Sequence, residues 1–61
     1  MPIVHIDLLE GRSKEQLSNM ARELTQAIVN TTGAKPESVH IIINEMKKTN
    51  YALNGKLFSD T

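Results

Sequence analysis

Pro2 follows Met1 directly and opens an apolar run, Ile3-Val4-His5-Ile6. Proline lacks a backbone N–H and has a fixed φ. At the first residue of a strand this costs little, because no ladder donor is missed, and on that account Pro2 only stiffens a terminus. The chemical account starts with removal of Met1. Pro2 would then carry a free secondary amine, a base or nucleophile held rigidly at a strand end. Few other groups could act with it. His5 and His40 are far apart and show no ligand spacing, and the chain has no cysteine, which excludes disulfides and thiolate metal sites. Arg12 stands in a turn beside Glu10, and Tyr51 precedes a Gly-containing segment. Solvation explains the first and packing the second unless something else assigns them a task.

Placing these residues requires strands and turns. Residues Ile3 to Leu9 read as a strand rich in β-branched types, with Val4, Ile6 and Leu8 on one face and His5 and Asp7 on the other. Gly11, in Glu10-Gly11-Arg12, is the turn signal that ends it. Ser13 opens a helix, and with Gln16 it fits a capping box. Leu17, Met20, Ala21, Leu24, Ala27 and Ile28 follow at three- and four-residue steps and form one buried stripe, with Arg22 off it and solvated. Gly33 stops the helix and Pro36 forbids continuation. Val39 to Met46 is a second strand centred on Ile41, Ile42 and Ile43. A strand, a helix and a strand make a β-α-β unit whose strands should be parallel, with a right-handed crossover. Asn54-Gly55, inside Tyr51 to Phe58, marks a hairpin, because a type I′ turn needs positive φ at both central residues. The fold class is therefore α+β: one domain, 1–61, built as a β-α-β unit with a C-terminal β-hairpin.

Composition removes several function classes. Seven basic and seven acidic residues balance to zero, with one Tyr, one Phe and no Trp. That leaves neither a basic stripe nor a stacking platform, so no nucleic-acid partner is expected. No apolar run reaches the length of a membrane span, and the N-terminus lacks the charged and apolar regions of a signal peptide. The chain reads as soluble and cytoplasmic, with no membrane partner. A domain this short buries only about 60% of its unfolded surface. With neither disulfide nor metal to help, association of subunits remains as the source of stability. Parallel sheets normally have both faces covered, and Ile3, Leu9, Val39, Ile41 and Ile43 cannot all hide under one helix. Strands should therefore pair across subunits, with sheet faces or the hairpin packed on neighbours.

Pro2 at a strand start, Leu9-Glu10-Gly11-Arg12-Ser13 before the helix, Asn44-Glu45-Met46 ending the second strand and Tyr51 before the hairpin together resemble the 4-oxalocrotonate tautomerase family. The resemblance spans the whole chain. It implies dimers that share a four-stranded sheet, three of which form a homohexamer. It implies a cofactor-free, metal-free isomerase in which Pro2, freed of Met1, is the general base. The substrate class is a small enol or dienol carboxylate: a 2-hydroxydienoate or enolised 2-oxo acid, with 2-hydroxymuconate the prototype in aromatic-compound catabolism. A general base works best with a pKa near the operating pH. Free α-amino groups lie near 7.7–8.0 in peptides, and apolar surroundings lower an amine's pKa by penalising the cation. Ile3, Leu8, Leu53 and Phe58 would supply such surroundings. The resemblance makes Arg12 the residue that binds a substrate carboxylate, to which its fork of donors is suited. Tyr51 falls where the prototype has an aromatic wall.

One position departs from the pattern. The prototype carries a second arginine where this chain has His40, within Ser38-Val39-His40-Ile41. An imidazole is shorter than a guanidinium and only partly charged near neutral pH. His40 is either a substrate-binding group or a surface-facing strand residue, and His5 is structural or solvated. The departure moves the expected substrate from a dicarboxylate toward a monocarboxylate or an enolised 2-oxo acid. Two other readings remain. A hydratase or dehalogenase on the same fold needs an extra carboxylate to activate water, but the hairpin position for it is Leu53. A self-associating protein without catalysis would give Pro2 no chemical role.

Overall fold

Ile3–Leu9 (β1) lies parallel to His40–Met46 (β2), from the pair Ile3 and His40 to the pair Leu9 and Met46. Lys14–Thr32 (α1) connects them. Ala52–Leu53 (β3) and Lys56–Leu57 (β4) form an antiparallel hairpin after β2. The computed structural model describes residues 1–60, and in them the expected α+β architecture is present: a β-α-β unit followed by a hairpin.

The helix begins and ends where its local chemistry dictates. Ser13 is extended, and its Oγ accepts from the Gln16 N–H at 3.1 Å. The Ser13 N–H donates to Gln16 Oε1 at 2.9 Å. This reciprocal pair satisfies two donors at the helix start. At the other end Gly33 adopts φ 75°, and its N–H donates to the Val29 carbonyl at 3.1 Å. The half-buried helix residues are Leu17, Met20, Ala21, Leu24, Thr25, Ile28 and Val29. Ala27, expected on the stripe, is exposed. It sits roughly 100° round the helix from Ile28, at the edge of the covered sector.

β2 starts one residue later than expected. Pro36–Ser38 forms a 3-10 turn, and the Val39 N–H closes it on the Pro36 carbonyl at 3.2 Å. Val39 is thereby spent on the turn, and the ladder opens at His40. Asn54 and Gly55 have φ of 55° and 80°, as a type I′ hairpin turn requires. Tyr51 and Phe58 close the hairpin with an edge-to-face ring contact at 5.8 Å, and the Phe58 N–H donates to the Tyr51 carbonyl at 2.8 Å.

Strand alternation gives the sheet two unlike faces. Val4, Ile6, Leu8, Ile41 and Ile43 are half-buried on the α1 side. On the opposite face Ile3 is 58% exposed and Ile42 47% exposed. Leu53, Leu57 and Phe58 are exposed on the hairpin, and none of the described residues is fully buried. The radius of gyration is 14.6 Å and the long axis 43 Å. A compact domain of this length would have a radius near 10.5 Å, so the hairpin stands out as an arm from the β-α-β unit. No helix among the described residues is long and apolar enough to cross a membrane.

None of the chain's described apolar residues is covered completely, so association is the expected source of its stability. Its thermal midpoint should therefore fall on dilution, as mass action requires when association stabilises the fold. Calorimetry or circular dichroism over a hundredfold range of concentration checks this. A constant midpoint would mean that one chain is sufficient.

Candidate active site

The backbone pairing of the two strands sets where each candidate residue stands. The His40 N–H donates to the Pro2 carbonyl at 2.9 Å, one step before the first register pair, Ile3 and His40. Pro2 is half-buried, and Met1 beyond it is 82% exposed. The missing proline N–H costs the ladder nothing here, because only the carbonyl of Pro2 is used. His40 is exposed and lies on the sheet face away from α1, as the alternation of β2 dictates. Its imidazole has no hydrogen-bond or ion-pair partner among the described residues. Pro2 and His40 thus share one end of the sheet.

Arg12 belongs to the other end. The Glu10 N–H extends the ladder by donating to the Met46 carbonyl at 2.8 Å. The chain then turns at Gly11, whose φ of 131° lies where side-chain-bearing residues are strained. Arg12 folds back so that Nη1 donates to the Leu9 carbonyl at 3.0 Å. The capping box at Ser13 fixes the following residue. The exposed guanidinium is therefore held at one nitrogen, with its remaining donors open. The seven residues of β1 span about 23 Å. A single chain cannot bring the Pro2 and Arg12 side chains to one small molecule. Tyr51 emerges after the 3-10 turn Lys48–Asn50 that follows β2, hence from the Arg12 end, and its ring is half-buried against Phe58.

The apolar residues expected around Pro2 also divide. Leu8 is half-buried on the α1 face, Ile3 is on the open face, and Leu53 and Phe58 are on the arm. Sequence reading missed one polar cluster. Asp7 Oδ1 lies 3.4 Å from His5 Nε2 and accepts from Asn44 Nδ2 at 3.0 Å. The His-x-Asp spacing puts the first two on one strand face. Only the register, which pairs Asp7 with Asn44, adds the third. These three tie the strands together on the open face. No group of three or more His, Cys, Asp or Glu among the described residues is placed to hold a metal ion. An open groove of about 420 Å³ along α1, lined by Gln16, Asn19, Met20, Glu23 and Leu24, contains none of the candidate residues.

A family model described as tautomerase enzyme matches residues 2–61. The chain is 52% identical over 60 residues to a protein of Lactiplantibacillus plantarum named "probable tautomerase", covering 98% of this chain and 94% of that one. It is 50% identical to a "probable tautomerase" of Staphylococcus epidermidis, covering 98% of each. Among solved structures it is similar to YwhB, a homologue of 4-oxalocrotonate tautomerase, with 43% identity, a TM-score of 0.92 and 98% of both chains covered. It is also similar to a heterohexameric 4-oxalocrotonate tautomerase from Chloroflexus aurantiacus, with 32% identity, a TM-score of 0.89, and 98% of this chain and 97% of that chain covered.

The turn that presents Arg12 makes a direct test. A Cβ on Gly11 would meet nothing within 4 Å, so Gly11→Ala adds backbone strain and no clash. The variant should lose about 1–3 kcal/mol, the usual cost of forcing such a conformation. Urea unfolding of the variant and the parent measures it. A loss near zero would mean that the turn relaxes freely and does not hold Arg12.

Proposed function

The chain belongs to the tautomerase family, and from that premise we propose that it is a cofactor-free keto–enol isomerase acting on 2-hydroxydienoates or enolised 2-oxo acids, such as 2-hydroxymuconate, with Pro2 as general base once Met1 is removed. The observation that carries this reading is the setting of Pro2. Its carbonyl is pinned by the His40 N–H at 2.9 Å, its ring is half-buried, and the residue to be removed is almost fully exposed.

The reaction relocates one proton. In a dienol, HO–C2=C3–C4=C5, the Pro2 nitrogen takes the hydroxyl proton as the C2 oxygen becomes a carbonyl. The double bonds shift to C3=C4, and the prolinium returns the proton to C5. The ring keeps the base from wandering between the two steps, which favours correct positioning. Arg12 binds a substrate carboxylate through the donors that Leu9 leaves open. Tyr51, braced by Phe58, is an apolar wall with a phenol at its tip. His40, beside Pro2 and without a partner, is the group available to the developing oxyanion at C2.

Arg12 and Pro2 stand at opposite ends of β1, so the site that unites them takes Arg12 and Tyr51 from another copy. We place the chain in a homohexamer, a trimer of dimers in which β1 and β2 of two copies make a four-stranded sheet. The absence of any fully buried residue among those described supports this assembly, as does the hexameric state of the Chloroflexus relative.

Two experiments test the reading. While Met1 is attached, the Pro2 nitrogen is an amide and cannot accept a proton. Protein that retains Met1 should be inactive on enols, and its removal should restore turnover. Processed Pro2→Ala should lose at least about a hundredfold in kcat, the lower range for loss of general-base catalysis. Mass spectrometry and steady-state kinetics on the same samples check both, and full turnover with Met1 intact would end the proposed mechanism. His40→Arg should raise kcat for 2-hydroxymuconate more than for a monocarboxylate enol. The gain should stay below the roughly hundredfold that a preorganised oxyanion donor can supply, because the surrounding residues are not built around an arginine. An unchanged kcat ratio would leave His40 as a surface residue of β2.

A further inference from the structure

The Arg12 end of the sheet carries two more cations that the proposed reaction leaves unused. Leu9 and Met46 are register partners, and the Glu10 N–H donates to the Met46 carbonyl, so the chain leaves both strands side by side. Adjacent strands are about 4.8 Å apart. From β1, Arg12 folds back onto the Leu9 carbonyl. From β2, Lys47 and Lys48 follow Met46 at once. Lys47 has φ −70° and ψ 150°, and its carbonyl accepts from the Asn50 N–H at 2.8 Å. The pair is therefore set at the strand end by a 3-10 turn.

Both lysines are exposed, and neither ammonium makes a hydrogen bond or ion pair. Among the described residues the one contact within 4.0 Å between a basic and an acidic side chain joins His5 and Asp7. Glu10 and Glu45 are the acidic residues on the adjoining strand ends, and neither lies within that distance of Arg12, Lys47 or Lys48. The Arg12 turn and the Lys47-Lys48 pair thus leave the same end of the sheet from neighbouring strands, and none of the three has an acidic partner within that distance. One carboxylate needs only the fork. Unpaired cations at one strand end draw an anion bearing more than one negative group.

We infer that Lys47 and Lys48 form the anchor for a second carboxylate, so that the site prefers a dicarboxylate to its monocarboxylate counterpart. This rests on Arg12 binding the first carboxylate, as proposed above. The division of labour suits the two side chains. Arginine's planar fork fixes one carboxylate in a set geometry, whereas lysine is a point charge on a flexible stem that can follow the far end of an extended dienoate. The preference comes from the end of the sheet opposite His40 and needs no second arginine in β2.

Two unreactive ligands with one carbon skeleton test it: trans,trans-muconate, with two carboxylates, and sorbate, with one. Neither has an enol hydroxyl, so their binding is measurable whether or not Pro2 catalyses turnover. Calorimetric titration of the assembled, Met1-free protein should show muconate binding at least about tenfold tighter than sorbate, with the difference shrinking as salt rises. The double variant Lys47→Ala/Lys48→Ala should bind both ligands alike, with sorbate within twofold of the parent. Lys47→Gln/Lys48→Gln, which keeps polar stems, should behave as the alanine pair does, and Lys47→Arg/Lys48→Arg should keep the preference. Arg12→Ala should weaken both ligands. A parent protein without the preference, or a preference that survives both neutral variants, overturns the inference. Loss of enol turnover by the parent would overturn the proposed reaction and leave this binding result to be read separately.

Discussion

The parallel register of β1 and β2 is the constraint on which the rest of this small protein depends. It runs without a break from the Pro2 carbonyl, taken by the His40 N–H, to the Glu10 N–H, given to the Met46 carbonyl. A slip of one residue would move every side chain of one strand to the other face. Val4 and Ile6, or Ile41 and Ile43, would lose α1, and Asp7 would lose Asn44. The same ladder sorts the chemistry. It puts Pro2 beside His40 at one end and the Arg12 turn beside Lys47 at the other, with the length of a strand between them.

That separation and the sparse core have one origin. A single helix covers one face of two strands and cannot cover the other, so Ile3 and Ile42 stay open. The hairpin, braced by Tyr51 against Phe58, projects with Leu53 exposed at its tip instead of folding back. A chain that leaves a sheet face, strand edges and an arm unsatisfied is shaped for contact with other surfaces. Pro2 and Arg12, the proposed base and the proposed carboxylate-binding residue, lie at opposite ends of one strand, so the proposed chemistry calls for another chain. Stability and function therefore ask for the same thing. This would be economical for 61 residues, because one set of contacts would both cover the open surfaces and assemble the proposed site.

Against this demand for partners, the local devices are self-sufficient. The capping box at Ser13, the left-handed Gly33, the Asn54-Gly55 turn and the extreme φ of Gly11 are each satisfied within a few residues. They set the lengths and exit directions of the elements through local contacts alone. Gly11 and the capping box act together on Arg12. One turns the chain and the other fixes its continuation, and the Leu9 carbonyl then holds the guanidinium.

By itself, the sequence determined what depends on nearest neighbours and on periodicity. The strand at Ile3–Leu9, the helix from the Ser13 cap to Gly33, the parallel second strand and the type I′ turn all follow from side chains a few positions apart. The candidate residues were legible too, as residues. Two local details were not. A 3-10 turn took Val39 out of the second strand, and Ala27 lay beyond the sector that two strands can cover. Tertiary structure decided how distant residues meet. Asn44 joined His5 and Asp7 because of the register across β1 and β2, which is a property of two segments at once. The division of Pro2, His40, Arg12 and Tyr51 between opposite ends of the sheet came from the same source. Periodicity says which face a side chain occupies, whereas only the paired strands say what stands next to it.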